Sequence, residues 1–110
     1  KQGGGKTAEG ALLSKAIPTS AAVIALDEHG TLQDSPDFAQ SLVRIRDQAP
    51  SELIFVIGGA DGLAPGVLAR ADAKLSFGRM VWPHMLVRVM LAEQLYRAAS
   101  ILAGGPYHRV

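Results

Sequence analysis

Three side chains able to take up protons or hold anions stand together at the carboxyl end of the sequence. Tyr107, His108 and Arg109 place a phenol, an imidazole and a guanidinium on consecutive residues. Chain ends usually fray, because nothing repays the entropy of ordering them. By itself this tail is therefore typical of a solvated polar end, and a chemical role for it requires a surface that orders it.

Two glycine-bearing segments stand where predicted strands lead into predicted helices. They are IGGADGLAPG, residues 57–66, and LSFGRMVWPH, residues 75–84. Ligands of open α/β sheets bind outside the carboxyl ends of the strands, and glycines there allow close approach of the backbone. We therefore expect the two loops to enclose one small molecule, with Phe77, Met80 and Trp82 as apolar walls. The alternative is that the glycines only form turns and that Phe77, Met80 and Trp82 are core side chains.

A nucleotide-binding motif is the competing interpretation. GGGKT at residues 3–7 resembles the end of a Walker A loop, and VIALDE at residues 23–28 resembles a Walker B strand. A phosphate-binding loop must follow a strand, and the sequence shows none before Gly3. The spacing from Lys6 to Asp27 is also short for such a fold. A P-loop-like nucleotide-binding protein therefore remains the alternative, and it requires Lys6 and Asp27.

The elements that position these loops are predicted from apolar runs and from helix start signals. The runs 21–27 and 52–59 predict buried strands, and the helix between them makes these strands parallel. Ser35 is the predicted N-cap of that helix and Pro36 its first residue. The predicted order is helix 7–17, strand 21–27, turn 28–30, helix 36–48, strand 52–59, helix 65–71, strand 73–80 and a helix from Pro83 to Leu102. This order defines an α/β domain with a mostly parallel sheet flanked by helices.

The last predicted helix is apolar around most of its circumference. Its polar residues fall into two i,i+4 pairs, His84 with Arg88 and Glu93 with Arg97. A helix of this kind is buried on more than one face, which a domain of 110 residues hardly achieves alone. We therefore expect a homodimer through this helix, with Glu93–Arg97 as a structural ion pair or a functional one.

Composition limits the class of protein. The 110 residues include 48% hydrophobic residues and no cysteine, which excludes a disordered chain, a disulfide framework and a thiolate metal site. The net charge is +1, but the charge is unevenly distributed, because the chain from Arg70 onward has six basic residues and two acidic ones. A basic half of this kind is what an anionic partner such as RNA would require. No leader or membrane-spanning run is present, so we expect a soluble cytoplasmic protein.

Three segments carry a resemblance to a known family. FVIGGADGLAP, LSFGRMVWPHMLVRVMLAEQLYRA and the terminal PYHR, within residues 21–109, resemble the ribosomal RNA large subunit methyltransferase H family of the SPOUT superfamily. The resemblance implies a C-terminal trefoil knot, an exception to the rule against threading, and an obligate homodimer. It also implies a single SPOUT domain over residues 1–110 that lacks the strand, helix and strand with which family members begin.

The same resemblance implies S-adenosylmethionine as methyl donor, with no metal. Its contacts, carried over by motif, are Leu26, Gly58, Phe77, Gly78, Arg79, Met80, Val81 and Trp82. We expect a Cβ at Gly58 to block the donor. The implied reaction is methylation of N3 of a pseudouridine in large-subunit (23S) ribosomal RNA, within the assembled ribosome.

Roles for the polar residues follow from that reaction. The ring nitrogen must lose a proton, so a base or an anion-stabilising field is required. The predicted catalytic residues are Tyr107, His108, Arg109, Glu93 and Arg97, with His108 as candidate base, and the predicted RNA contacts are His84, Arg88 and Arg109. In a dimer the tail would complete the partner's site. A non-catalytic RNA- or ribosome-binding module is a further alternative.

Overall fold

The computed structural model describes residues 17–58, 62–78, 80 and 82–104. Its elements are β1 (Ala22–Leu32), α1 (Ser35–Asp47), β2 (Leu53–Ile57), α2 (Pro65–Arg70), β3 (Ala73–Ser76) and α3 (His84–Leu102). The GGGKT segment, the predicted helix 7–17 except for Ile17, and the tail from residue 105 lie outside the described residues. Within the described part of the chain, no helix has the length and hydropathy to cross a membrane.

The three strands form one parallel sheet in the order β2-β1-β3. The central strand begins with Ala22 to Leu26, which are all buried, as the apolar run predicted. Successive side chains of a strand point to opposite faces. Val23 and Ala25 therefore pack under α2, whereas Ile24 and Leu26 pack under α1 and α3. The prediction of an α/β domain with a parallel sheet is confirmed.

Strand β1 is longer than the sequence predicted and contains a bulge. Leu75 of β3 aligns with Leu26 and again with Thr31, so residues 27–30 leave the β1–β3 ladder and return to it. The predicted turn at 28–30 is this bulge, and the strand continues beyond Asp27. A Cβ on Gly30 would lie 2.8 Å from the backbone nitrogen of Leu75. Glycine at this position therefore allows β1 to return against β3.

Helix α1 begins one residue earlier than predicted. Asp34, not Ser35, is the N-cap, and its Oδ1 accepts the amide of Asp37 at 2.8 Å. The Ser35 hydroxyl instead donates to Oε1 of Gln94 on α3, at 2.6 Å. The two helices on this face of the sheet are thereby joined by a hydrogen bond.

Several other predicted boundaries are too long. Strand β2 covers 53–57 rather than 52–59, helix α2 ends at Arg70 rather than at 71, and β3 covers 73–76 rather than 73–80. Strand β3 ends because Gly78 has φ +117°, a backbone conformation outside the extended region. Helix α3 begins at His84 with Pro83 as its N-cap, so Pro83 precedes the helix.

The long helix α3 buries one face only. Leu91 and Ala98 are buried against the sheet, flanked by the half-buried Leu95. On the opposite side of the helix, Val89 and Tyr96 are each 62% exposed. The second apolar face lies on the surface of the chain, as expected if a domain of this size does not bury both faces alone, and its burial in a dimer stays a prediction.

Candidate functional site

A cavity of about 670 Å³ lies at the carboxyl ends of the three strands. Leu26 from β1, Ile57 and Gly58 at the end of β2, and Leu75 from β3 form its floor. Its size is that of a small-molecule site, and its place is where open α/β sheets bind ligands. The predicted enclosure between two glycine-bearing loops is therefore present.

The cavity gathers the predicted donor contacts. All those that the structure describes line it, namely Leu26, Gly58, Phe77, Gly78, Met80 and Trp82; Arg79 and Val81 lie outside the described residues. Met80 is 72% and Trp82 37% exposed, so these side chains are walls of an open site rather than core residues. Their role as contacts of the donor stays a prediction.

The glycines of the two loops have different structural roles. A Cβ on Gly58 would lie 2.9 Å from the carbonyl carbon of Gly62, so Gly58 allows the first loop to close on itself. This close approach is one structural reason for glycine at position 58, and the expectation that a Cβ there would block the donor stays a prediction. In the second loop, Gly78 has φ +117° and an added Cβ would meet no atom within 4 Å. Glycine is required there by backbone conformation.

Charged residues on one wall of the cavity were not predicted as contacts of the donor, although the nucleotide-binding alternative requires Asp27. Asp27, Glu28 and His29 come from the β1 bulge, and Lys74 comes from β3. The imidazole nitrogens of His29 lie 3.8 Å from Oδ2 of Asp27 and 3.8 Å from Oε2 of Glu28. The polar run DEH directly after a buried strand was the available signal, since strand ends are where ligands bind.

Ser76 connects two walls of the cavity. Its side chain is almost fully enclosed, the residue being 4% exposed. The hydroxyl lies 3.1 Å from the carbonyl oxygens of Glu28 and Gly78 and accepts the amide of Gly78 at 3.0 Å. The β1 bulge and the start of the second loop are therefore fixed to the same buried side chain.

A second cavity of about 900 Å³ lies on the other side of β3, between the start of α1 and helix α3. Leu75, Phe77 and Gly78 line both cavities. Glu93 also lines the second cavity, and its Oε2 accepts a hydrogen bond from Arg97 Nη2 at 2.7 Å. The predicted Glu93–Arg97 pair is therefore formed, on the far side of β3 from the first cavity.

The other predicted polar residues are not brought into the first cavity. His84 and Arg88 are exposed on α3, and the guanidinium of Arg88 lies 3.8 Å from the sulfur of Met85 rather than pairing with His84. Tyr107, His108 and Arg109 lie outside the described residues. Among the residues that are described, no three His, Cys, Asp or Glu side chains are grouped as metal ligands.

Comparison with known proteins defines the class first. The sequence profile of the family described as "Predicted SPOUT methyltransferase" matches residues 2–108, nearly the whole chain. A parallel sheet with a ligand-sized cavity at its carboxyl edge is consistent with that class.

Individual relatives then specify the group. The "Ribosomal RNA large subunit methyltransferase H" of Dinoroseobacter shibae is 64% identical over 110 residues, covering 100% of this chain and 70% of the relative. The proteins of that name from Paracoccus denitrificans and Ruegeria pomeroyi are 62% and 60% identical, over 99% and 100% of this chain and 70% of each relative. The chain belongs to the SPOUT methyltransferase family, among the ribosomal RNA large subunit methyltransferases H, which confirms the resemblance seen in its motifs.

Proposed function

We propose that this protein transfers a methyl group from S-adenosylmethionine to N3 of a pseudouridine in large-subunit ribosomal RNA. The observation that carries the proposal is the first cavity, which gathers from three strand ends the residues that the family motif assigns to the donor. The names of its relatives, at 60% identity and above, support ribosomal RNA as the substrate.

The residues of the cavity fit S-adenosylmethionine. The volume of about 670 Å³ suits a nucleoside-sized ligand, and Leu26, Phe77 and Trp82 offer apolar surface for a purine. Gly58 and Gly78 leave backbone groups accessible for its polar edge. When bound, the donor supplies a methyl group that is already activated by the sulfonium charge.

The protein's own task is to prepare the acceptor nitrogen. An imide N–H is a poor nucleophile, so its proton must be removed and the resulting negative charge stabilised. We assign proton removal to His108 and charge stabilisation to Arg109, with Tyr107 stacking on a base. Arg97 is held by Glu93 at 2.7 Å, which supports a role in positioning a phosphate or the tail rather than in taking a proton.

The unburied face of α3 supports a homodimer. Met85, Val89 and Tyr96 are between 62% and 65% exposed and lie opposite the side that packs on the sheet. Exposed apolar residues along one helix face are typical of a subunit interface. In the proposed dimer the tail of one subunit completes the site of the other, and the chain after β3 forms the trefoil knot of the family. The proposed location is the cytoplasm, with the assembled ribosome as substrate.

The experiment is transfer of radiolabelled methyl from S-adenosylmethionine to purified ribosomes. Ribosomes that lack the pseudouridine are the substrate control. A variant ending at Pro106 should bind the donor but transfer no methyl, and a variant lacking only Val110 should transfer normally. Labelling that does not depend on the pseudouridine would exclude the proposed target, and full activity without residues 107–110 would exclude the role of the tail.

A further inference from the structure

One wall of the first cavity carries charges of both signs. Asp27 and Glu28 are contributed by the β1 bulge and Lys74 by the neighbouring strand. Among the described residues, the rest of the lining apart from these three and His29 consists of apolar side chains and glycines. The cavity therefore offers charged groups as well as apolar surface, and a ligand that fills it should carry groups of both kinds.

Backbone contacts hold the β1 bulge, which carries Asp27 and Glu28, next to the segment of β3 that carries Lys74. An added Cβ on Gly30 would lie 2.8 Å from the carbonyl carbon of Lys74, so the end of the bulge lies directly against the residue that carries the ammonium. The buried hydroxyl of Ser76 also holds the carbonyl oxygen of Glu28 at 3.1 Å. Because both constraints act on the backbone, they fix the positions from which the charged side chains extend, which lowers the cost of arranging these side chains around a ligand.

The carboxylates of Asp27 and Glu28 already have polar neighbours among the described residues, whereas the ammonium group of Lys74 does not. Asp27 Oδ2 accepts the backbone amide of His29 at 3.0 Å, and the imidazole of His29, whose side chain is 77% exposed, lies beside both carboxylates. Lys74 forms no ion pair with any residue in the described part of the chain. Its charge is therefore available to an anionic group of a ligand.

We propose that Asp27, Glu28 and Lys74 form the subsite for the amino-acid end of the methyl donor. Lys74 binds the α-carboxylate, and the two carboxylates bind the α-ammonium group. This inference rests on the proposed function, because it takes S-adenosylmethionine as the ligand. Opposite charges lining the same cavity match a zwitterion, and charge-assisted hydrogen bonds are stronger than neutral ones.

The subsite fixes the direction of the donor in the cavity. The purine of the donor lies against the apolar side chains of Phe77 and Trp82, and the amino-acid end of the donor lies at the β1 bulge. Discrimination against adenosine derivatives without an amino-acid group then arises at Lys74 and Glu28, because these charges would be left without their partners.

The test compares two ligands that differ only in this group. S-adenosylhomocysteine carries the amino-acid end, whereas 5′-methylthioadenosine has the same nucleoside and a thioether without it. Binding of both is measured by titration calorimetry on the wild-type protein and on Lys74→Met and Glu28→Gln, which remove charge but keep most of the side chain. Arg46→Met, at an exposed position on α1, is the control.

We expect Lys74→Met to weaken binding of S-adenosylhomocysteine by about tenfold or more and to leave 5′-methylthioadenosine unchanged. Glu28→Gln should show the same selectivity, and Arg46→Met should affect neither ligand. Unchanged binding of S-adenosylhomocysteine by both charge variants, or an equal loss for the two ligands, would overturn the subsite. A wild-type protein that binds neither ligand would overturn the proposed function, and the subsite would fall with it.

Discussion

Val23 and Asp72 exchange two hydrogen bonds at the amino-terminal edge of the sheet. The amide of Val23 donates to Oδ2 of Asp72 at 2.8 Å, and its carbonyl oxygen accepts the amide of Asp72, also at 2.8 Å. Val23 is 0% exposed, so no water can replace these partners. The Asp72 side chain thus provides one further hydrogen bond just before the first β1–β3 pair, Ile24 with Ala73.

Asp72→Ala should therefore destabilise the fold. The buried amide of Val23 loses its acceptor, which costs about 1–3 kcal/mol of unfolding free energy. Asp72→Asn keeps an acceptor oxygen and should lose less. The measurement is urea denaturation followed by circular dichroism, with Asp47→Ala, in an exposed pair with Arg46 at 3.7 Å, as the control. Equal effects at positions 72 and 47 would contradict the assigned role of Asp72.

Gly30→Ala and Gly66→Ala should change stability in opposite directions. At position 30 the new Cβ would lie 2.8 Å from the backbone of β3, which cannot give way without separating the strands. At position 66, in helix α2, it would meet nothing within 4 Å, so alanine should stabilise the helix by about 0.5–1 kcal/mol. Thermal unfolding of the two variants checks this expectation, and a neutral Gly30→Ala would show that the bulge does not need the close approach.

Ser76→Ala should weaken ligand binding as well as the fold. Removing the hydroxyl frees the Glu28 carbonyl and the Gly78 amide, which belong to two walls of the first cavity. We expect binding of S-adenosylhomocysteine, measured by calorimetry, to weaken several-fold, with about 1–3 kcal/mol lost from unfolding. Ser51→Ala removes an exposed hydroxyl that bonds to Ser20 and should leave binding unchanged. Normal affinity in Ser76→Ala would show that the walls are held by other contacts.

Val89→Asp should dissociate the proposed dimer. Val89 is 62% exposed on the apolar face of α3, and a carboxylate there would be buried without a partner on association. Sedimentation velocity should show a monomer at concentrations where the parent protein is a dimer, with an unchanged circular dichroism spectrum. Gln40→Asp, at an exposed position on α1, should remain dimeric. A dimeric Val89→Asp variant would place the interface elsewhere.

Local patterns were sufficient to predict the order of the elements. The buried part of β1, the parallel pairing with β2 and the placement of both loops at strand ends follow from apolar runs and from the intervening helix. The bulge was not predictable in this way. Residues 28–30 have the composition of a turn, and only their contact with Lys74 and Leu75, far along the chain, makes them part of a strand.

The sequence predicted the wrong N-cap for α1 because two neighbouring residues are both suited to that position. Asp34 and Ser35 are both good caps, and sequence alone does not choose between them. The choice is made by Gln94, 59 residues further on, whose side chain takes the Ser35 hydroxyl. The charged wall of the cavity was not predicted for the same reason, since Asp27 and Lys74 come to line the same cavity only through the pairing of β1 with β3.

The residues that line both cavities have a consequence for how a ligand in one cavity would influence a ligand in the other. Leu75, Phe77 and Gly78 line both the first cavity and the second, larger cavity. A compound that binds in the second cavity and shifts these residues should change the affinity of the first cavity for the proposed donor, and the donor should change the affinity for that compound by the same factor. Because the two ligands would occupy different cavities, a rising concentration of the proposed methyl donor would weaken binding of such a compound by at most that factor and would not displace it completely.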